Sequence, residues 1–365
     1  MNTPTPDYPR STLIKEVIFD RFRCHRGDGD MWPITWADDN NLYAAAGDNS
    51  GSPMNFWKIL NGPLPSFNGT GWGVSMELVD NLPIDPKIYC QKPNLHPRFG
   101  VKPAGLLCMN GVLYFAVELH NYGDNPVFNR QHNINAWIIT SVDYGKTWNR
   151  EASQIEFFTG RLASPHFLQY GKDYEDARDE FIYAYFPAAD DGGSYWENGD
   201  YILLGRVLKY NLLQRDAWEF FTGLTAGGEP AWDRDDSLAQ SIFRYTSMTG
   251  ENHVSYNKGL GRYLMGNYSF LDPEGKPRPY HAVGGWPEST LRSQLTLFEA
   301  PQPWGPWSLF YQDDNWGTYG DYQPSFPTKW MSEDGATMLM VSSGSFDDYN
   351  LTLQKVTLKL ERSTL

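Results

Sequence analysis

The sequence predicts an all-β fold, a five-bladed β-propeller closed by its own N-terminal strand. Three observations predict it. One hairpin pattern recurs five times along the 365 residues. Apolar third and fourth strands follow the early repeats, but the last repeat lacks its fourth. A strand near the N-terminus stands without a partner in its own neighbourhood.

The five hairpins begin at Trp32-Pro-Ile-Thr-Trp-Ala, Lys102-Pro-Ala-Gly-Leu-Leu, Ser164-Pro-His-Phe-Leu, His253-Val-Ser-Tyr-Asn and Gln323-Pro-Ser-Phe-Pro. Each is followed by a turn and a second apolar run: Leu42-Tyr-Ala-Ala-Ala, Leu113-Tyr-Phe-Ala-Val, Phe181-Ile-Tyr-Ala-Tyr, Arg262-Tyr-Leu-Met and Met338-Leu-Met-Val. The turns are rich in Asp, Asn and Gly, the residues that tolerate tight backbone. Four of the five first strands carry Pro near their start, where a missing N–H costs least. Third strands are expected at Asn55, Ala136, Tyr201, Gln294 and Leu351, and Trp-bearing fourth strands at Gly71, Thr147, Ala217 and Pro306. The blades then span approximately 31–80, 101–152, 162–222, 252–311 and 322–358. The orphan strand at 13–19 completes the fifth blade and removes the open edges of the ring. The whole chain reads as one domain.

Ser141-Val-Asp143-Tyr-Gly145-Lys-Thr147-Trp148 matches the Asp box of sialidase-like propellers. In that motif the acid closes a hairpin turn, so Asp143 is read as structural.

Composition narrows the function. A formal net charge of −14, from 44 acidic and 30 basic side chains, repels phosphate backbones and argues against nucleic acid. No apolar run reaches the length of a membrane span. The first residues have neither the basic start nor the apolar core of a signal peptide, so secreted or cell-surface action is expected only from the kind of substrate the site suits. A monomer is expected. Three cysteines at irregular spacing form no disulfide framework and no zinc signature. No metal-ligand motif is recognised and no cofactor is required, although the many acids leave room for a structural Ca²⁺.

Propeller geometry places the start of strand one, the end of strand two and the start of strand three on one face. Asp48 lies 15 residues after Pro33, and Glu118 lies 15 after Pro103, so the two occupy equivalent positions in neighbouring blades. Asp30 and Lys102 stand at the mouths of the same two blades, and Asp200 begins a third strand in blade three. Gathered carboxylates suit glycoside hydrolysis, in which one protonates the leaving oxygen and another serves as base or nucleophile. Asp30 and Asp48 are the expected catalytic pair, with Asp28 a near neighbour able to replace Asp30. Lys102, Glu118 and Asp200 are expected to contact substrate. Trp32, Tyr195, Trp196, Trp286 and Trp316 are candidates for stacking on sugar rings. A second reading uses His120, His166 or His253 with Tyr256 and Arg178 for β-elimination of a uronic-acid glycan. A third is a glycan-binding propeller without catalysis.

The ordered segments Gly29-Asp30-Met-Trp32-Pro33-Ile-Thr35-Trp36, Gly47-Asp48, Ser164-Pro-His-Phe-Leu-Gln-Tyr-Gly-Lys, Ala177-Arg178-Asp179, Gly199-Asp200, Tyr256-Asn257-Lys-Gly-Leu-Gly-Arg262-Tyr263-Leu264 and Gly305-Pro-Trp307 resemble the domain-of-unknown-function family 4185. The resemblance spans roughly residues 27–345. Part of that family is classed as glycoside hydrolase family 183, endo-acting D-arabinanases on five-bladed propellers. The resemblance implies an arabinofuranose polymer as substrate and places the family's two blade-one acids on Asp30 and Asp48.

Overall fold

The structure is a computed structural model, and it describes residues 3–49, 52–60, 74–82, 99–121, 132–277, 292–317, 321–344 and 349–361. Five antiparallel sheets are arranged as the blades of a propeller. Blade one runs Ile34–Trp36, Leu42–Asn49, Ser52–Leu60 and Ser75–Asp80. Blade two contains Phe99–Met109, Val112–Asn121 and His132–Ser141; blade three, His166–Phe167, Phe181–Ala188, Gly199–Leu208, Glu219–Leu224 and Pro230–Asp233. Blade four runs His253–Asn257, Arg262–Leu271, Arg292–Ala300 and Ser308–Trp316. Blade five takes Tyr322–Ser325, Thr337–Ser343 and Leu351–Leu360 from the C-terminal part, and Ile14–Arg26 from the N-terminal part.

The closing strand pairs antiparallel with the last, Val17 opposite Leu358 and Arg26 opposite Leu351. It runs seven residues beyond the expected 13–19. The extension, Asp20–Arg26, is charged and does not alternate, so periodicity missed it. It is held instead by backbone pairing after a bulge between Phe19 and Arg23, and by Arg23 bonding Asp321 at 2.5 Å.

One expected strand is absent. Thr147–Arg150 is not a fourth strand in blade two; only Asn149 bridges back to Thr140. The turn before it is closed by Asp143, whose Oδ1 accepts from the Thr147 N–H at 2.9 Å and whose Oδ2 accepts from the Thr147 hydroxyl at 2.7 Å. That turn sends Trp148 against Phe56 of blade one, with ring centroids 4.9 Å apart. The outer position is filled by Phe158–Thr159 and Ser194–Tyr195, the latter contributed by the long blade-three insertion. Blade three also gains Pro230–Asp233 and Ser241–Thr249, two strands with no counterpart in the repeat. Gly71–Gly73, the expected start of the blade-one fourth strand, lie outside the described residues.

The repeated Pro has a packing role. A Cβ on Gly105 would lie 2.5 Å from the Pro165 carbonyl oxygen, and one on Gly266 would lie 2.5 Å from that of Pro324. In blades two and four the inner hairpin thus presses a glycine onto the Pro segment of the next blade. Large side chains fill the space between blades: Trp137, Trp218, Trp307 and Trp330 are all buried. Full burial of such residues contributes roughly 1.5–3 kcal/mol each. Among the described residues, no helix is long and apolar enough to cross a membrane.

Candidate active site

Asp30 and Asp48 come together through backbone pairing. The Asp30 N–H donates to the Gly47 carbonyl and the Gly47 N–H donates to that of Asp30, both at 2.8 Å. Asp30 therefore sits opposite Gly47, and the next residue, Asp48, is its neighbour. Met31, Trp32 and Asp48 all have positive φ, at 71°, 22° and 46°. Such backbone is costly for residues with a Cβ and persists where the surroundings enforce it, commonly at functional sites. Met31 is secured by its N–H, which donates to Ser343 Oγ of blade five at 2.7 Å.

Lys102 of blade two joins the pair. Its ammonium contacts Asp48 Oδ2 and lies 3.8 Å from Asp30 Oδ1. From blade five, the Tyr322 hydroxyl donates to Asp30 Oδ2 at 3.0 Å. Three blades thus converge on one carboxylate. Asp30 is buried, whereas the Asp48 side chain remains 39% exposed. Burial raises Asp30 to about 6, against the opposing pull of Lys102 and with help from the Asp48 charge. The outcome is a carboxyl able to hold a proton in mild acid beside a solvent-facing carboxylate paired with lysine.

Glu118 departs from its expected equivalence with Asp48. It pairs across the strands with Lys102, but its side chain is fully buried and turns to His120, 2.6 Å away. Asp48 lies at the end of its strand with a left-handed backbone and points outward, while Glu118 remains inside a regular ladder. Burial pushes Glu118 up to about 7.

Asp200 is also corrected. Both its oxygens accept backbone N–H groups, from Asp190 and Ser247, each at 2.9 Å. It clamps the blade-three insertion rather than presenting a carboxylate to substrate. The stacking role of three tryptophans fails on burial. Trp32 donates its indole N–H to Gly29 and packs on Trp57; Trp196 packs on Phe270 and Tyr322; Trp316 is also enclosed. An indole carries a large apolar area, and here the interior takes it. Tyr195 is partly exposed and stacks on His132, with centroids 5.0 Å apart. Trp286 lies outside the described residues. Asp28 is partly exposed on the turn two residues before Asp30.

His253 begins its strand beside His166, their rings edge to face at 5.0 Å, and burial lowers it to about 4. Tyr256 is at the other end of that strand, opposite Tyr263 at the hairpin turn, with the Arg178 guanidinium 5.6 Å from its ring centre. Three steps of strand rise separate His253 from Tyr256 by about 10 Å. The expected His, Tyr and Arg set is therefore not assembled. Sequence reasoning passed over Tyr322 and Glu251, which bond the candidate acids. Tyr322 stands one residue before the blade-five repeat segment Gln323-Pro, and Glu251 two before blade four's first strand, so the repeat register was the available signal.

No family profile and no curated protein matches the chain. Solved structures do. A candidate hydrolase from Bacteroides ovatus ATCC 8483 aligns with a TM-score of 0.51 at 14% identity, over 92% of this chain and 87% of that one. A GH43_1 enzyme from Xanthomonas citri, complexed with xylotriose, aligns at 0.48 and 12% identity, over 92% and 88%. A glycosyl hydrolase from Bacteroides ovatus aligns at 0.45 and 11%, over 96% and 93%. The first of these likenesses is one of fold.

Proposed function

We propose that this chain is a glycoside hydrolase that cleaves a polysaccharide with Asp30 and Asp48. The observation that carries the proposal is the Asp30–Lys102–Asp48 arrangement at the mouth of the first two blades. Asp30, buried and raised to about 6, gives its proton to the glycosidic oxygen. Asp48, more exposed and in contact with Lys102, attacks the anomeric carbon or takes a proton from an attacking water. The C–O bond breaks, the leaving sugar keeps the proton of Asp30, and water supplies the hydroxyl that ends on the anomeric carbon. Lys102 contacts Asp48 and limits the rise of Asp30.

The substrate class follows the resemblance: an arabinofuranose polymer cut internally. Incubation with a glycan panel that includes D-arabinan tests this, read by product mass. Products carrying one added water per cut are expected from D-arabinan. Products lacking that water would convert the reading to a lyase, and no product from any glycan would leave a binding protein. Asp30→Asn and Asp48→Asn separate the roles. On an aryl glycoside with a good leaving group, Asp30→Asn retains activity and Asp48→Asn loses it, because such a group departs without a proton. The reverse pattern exchanges the two assignments.

A further inference from the structure

Beyond the catalytic pair, a second cluster occupies the inner part of the ring. Glu118 and His120 come from blade two, on Val112–Asn121; Glu251 comes from the segment entering blade four. All three are fully buried, and their ligand atoms lie within 4.8 Å of one another. Glu251 is held by its neighbours: Ser164 donates to its Oε1 at 3.0 Å, Asn133 donates to the same oxygen at 3.3 Å, and Gln323 donates to Oε2. Residues from blades two, three and five therefore surround it.

Charge makes this cluster unusual. Two carboxyls are enclosed with one imidazole, the neighbouring Lys102 ammonium that also acts on Glu118 is already in contact with Asp48, and an uncompensated buried carboxylate costs several kcal/mol even after relaxation. Buried charges are paired or bind metal. Glu118 Oε2 is wholly buried without a hydrogen-bond partner. The same holds for the amide oxygen of Asn133, whose amide nitrogen bonds Glu251, while Gln323 joins Glu251 to His253 through its side chain. Two buried acceptor atoms without a donor, on residues that bond within the cluster, call for a positive centre.

We propose that Glu118, His120 and Glu251 bind a divalent first-row cation, Zn²⁺ or Mn²⁺, that fastens blade two to blade four near the axis of the ring. One imidazole with two carboxylates suits such an ion, whereas Ca²⁺ takes oxygen ligands throughout. Metal–ligand bonds of about 2.0–2.2 Å require the His120–Glu118 contact to open to about 3.4 Å in a tetrahedral site, within reach of a carboxylate rotation.

The alternative to a cation is a proton. The two carboxyls lie close enough to share one, and burial with the Glu118 charge raises Glu251 well above the usual range. The experiment discriminates between them. Metal content is measured on the purified full chain, and on chain refolded with Zn²⁺, Mn²⁺ or Ca²⁺ and freed of excess ion. Thermal unfolding is followed for wild type, Glu251→Gln and Glu118→Gln. The expected result is close to one Zn²⁺ or Mn²⁺ per chain, lost in both variants, with lower melting temperatures that added metal no longer raises. Glutamine mimics a protonated acid, so variants as stable as wild type, with wild type retaining no ion after refolding, would overturn the proposal. Retention of Ca²⁺ alone would overturn the choice of ion. If one variant does not fold, the wild-type metal content and melting shift decide. Neither readout uses hydrolysis, so loss of the enzymatic reading leaves this test intact.

Discussion

Asp30 and Gly47 exchange both of their backbone hydrogen bonds at 2.8 Å, and the Asp30 carboxyl lies directly over the glycine. A Cβ at Gly47 would be 2.7 Å from Asp30 Oδ1, 3.1 Å from Pro103 Cδ and 3.3 Å from Lys102 Cδ. Gly47→Ala must therefore displace the acid or the lysine. A displacement of about 1 Å costs on the order of 10²-fold in rate. The expected outcome is a folded protein with kcat/KM lower by about that factor. An alanine variant with wild-type kinetics would show that the Asp30 position is not needed.

Burial of Asp30 also carries a stability cost that depends on pH. Its folded value, about 6, lies above the ordinary 3.8. A raised acid favours the folded state while protonated in both states, at low pH, and that contribution is lost as pH rises through about 6. Asp30→Asn, a neutral mimic, should match wild type near pH 4 and be more stable above pH 6. A shift near two units corresponds to on the order of 3 kcal/mol. Denaturant unfolding at the two pH values checks this; a variant less stable than wild type at both would contradict it.

Tyr322 acts on the same group from blade five. Its hydroxyl bonds Asp30 Oδ2 at 3.0 Å and favours the carboxylate. Tyr322→Phe should raise Asp30 further, so the alkaline limb of kcat/KM, set by loss of the Asp30 proton, moves to higher pH. Removal of the hydroxyl costs about 1 kcal/mol of stability. Lys102→Met removes the larger opposing influence and should move the limb further, with a lower rate because Asp48 loses its partner. A purely structural tyrosine would change the rate and leave the limb in place, which a pH–rate profile distinguishes.

The blade order, the closing strand and the nearness of Asp30 to Asp48 were legible because they depend on period and register. A recurrent Pro fixes which residues open each inner hairpin, and Asp30 and Asp48 stand at the two ends of one, Ile34–Trp36 with Leu42–Asn49. Side-chain direction was less legible. Glu118 shares the repeat position of Asp48 yet points inward, because strand-end backbone at Asp48 departs from the pleat. Trp196 and Trp32 occupy loops and mouths in sequence, but the folded chain encloses them. Asp200 sits at the expected edge, while its oxygens are claimed by the N–H groups of Asp190 and Ser247, a pairing made by an insertion without repeat counterpart.

The closing strand gives the last prediction. Ile14 is buried among Phe310 of blade four and Met338, Val356 and Leu358 of blade five, so it seals the junction where the ring joins itself. Ile14→Ala removes buried methyl groups and leaves a cavity, at a cost of about 2–5 kcal/mol. Because the strand covers the whole edge of Leu351–Leu360, that loss is felt by the ring as a unit rather than as fraying of one terminus. Denaturant unfolding followed by Trp fluorescence and by far-ultraviolet circular dichroism should give coincident transitions, both shifted to lower denaturant. Deletion of residues 3–26 should go further and expose the Leu351–Leu360 edge, yielding aggregates on size exclusion. A deletion variant that stays monomeric and cooperative would show that blade five closes without its N-terminal strand.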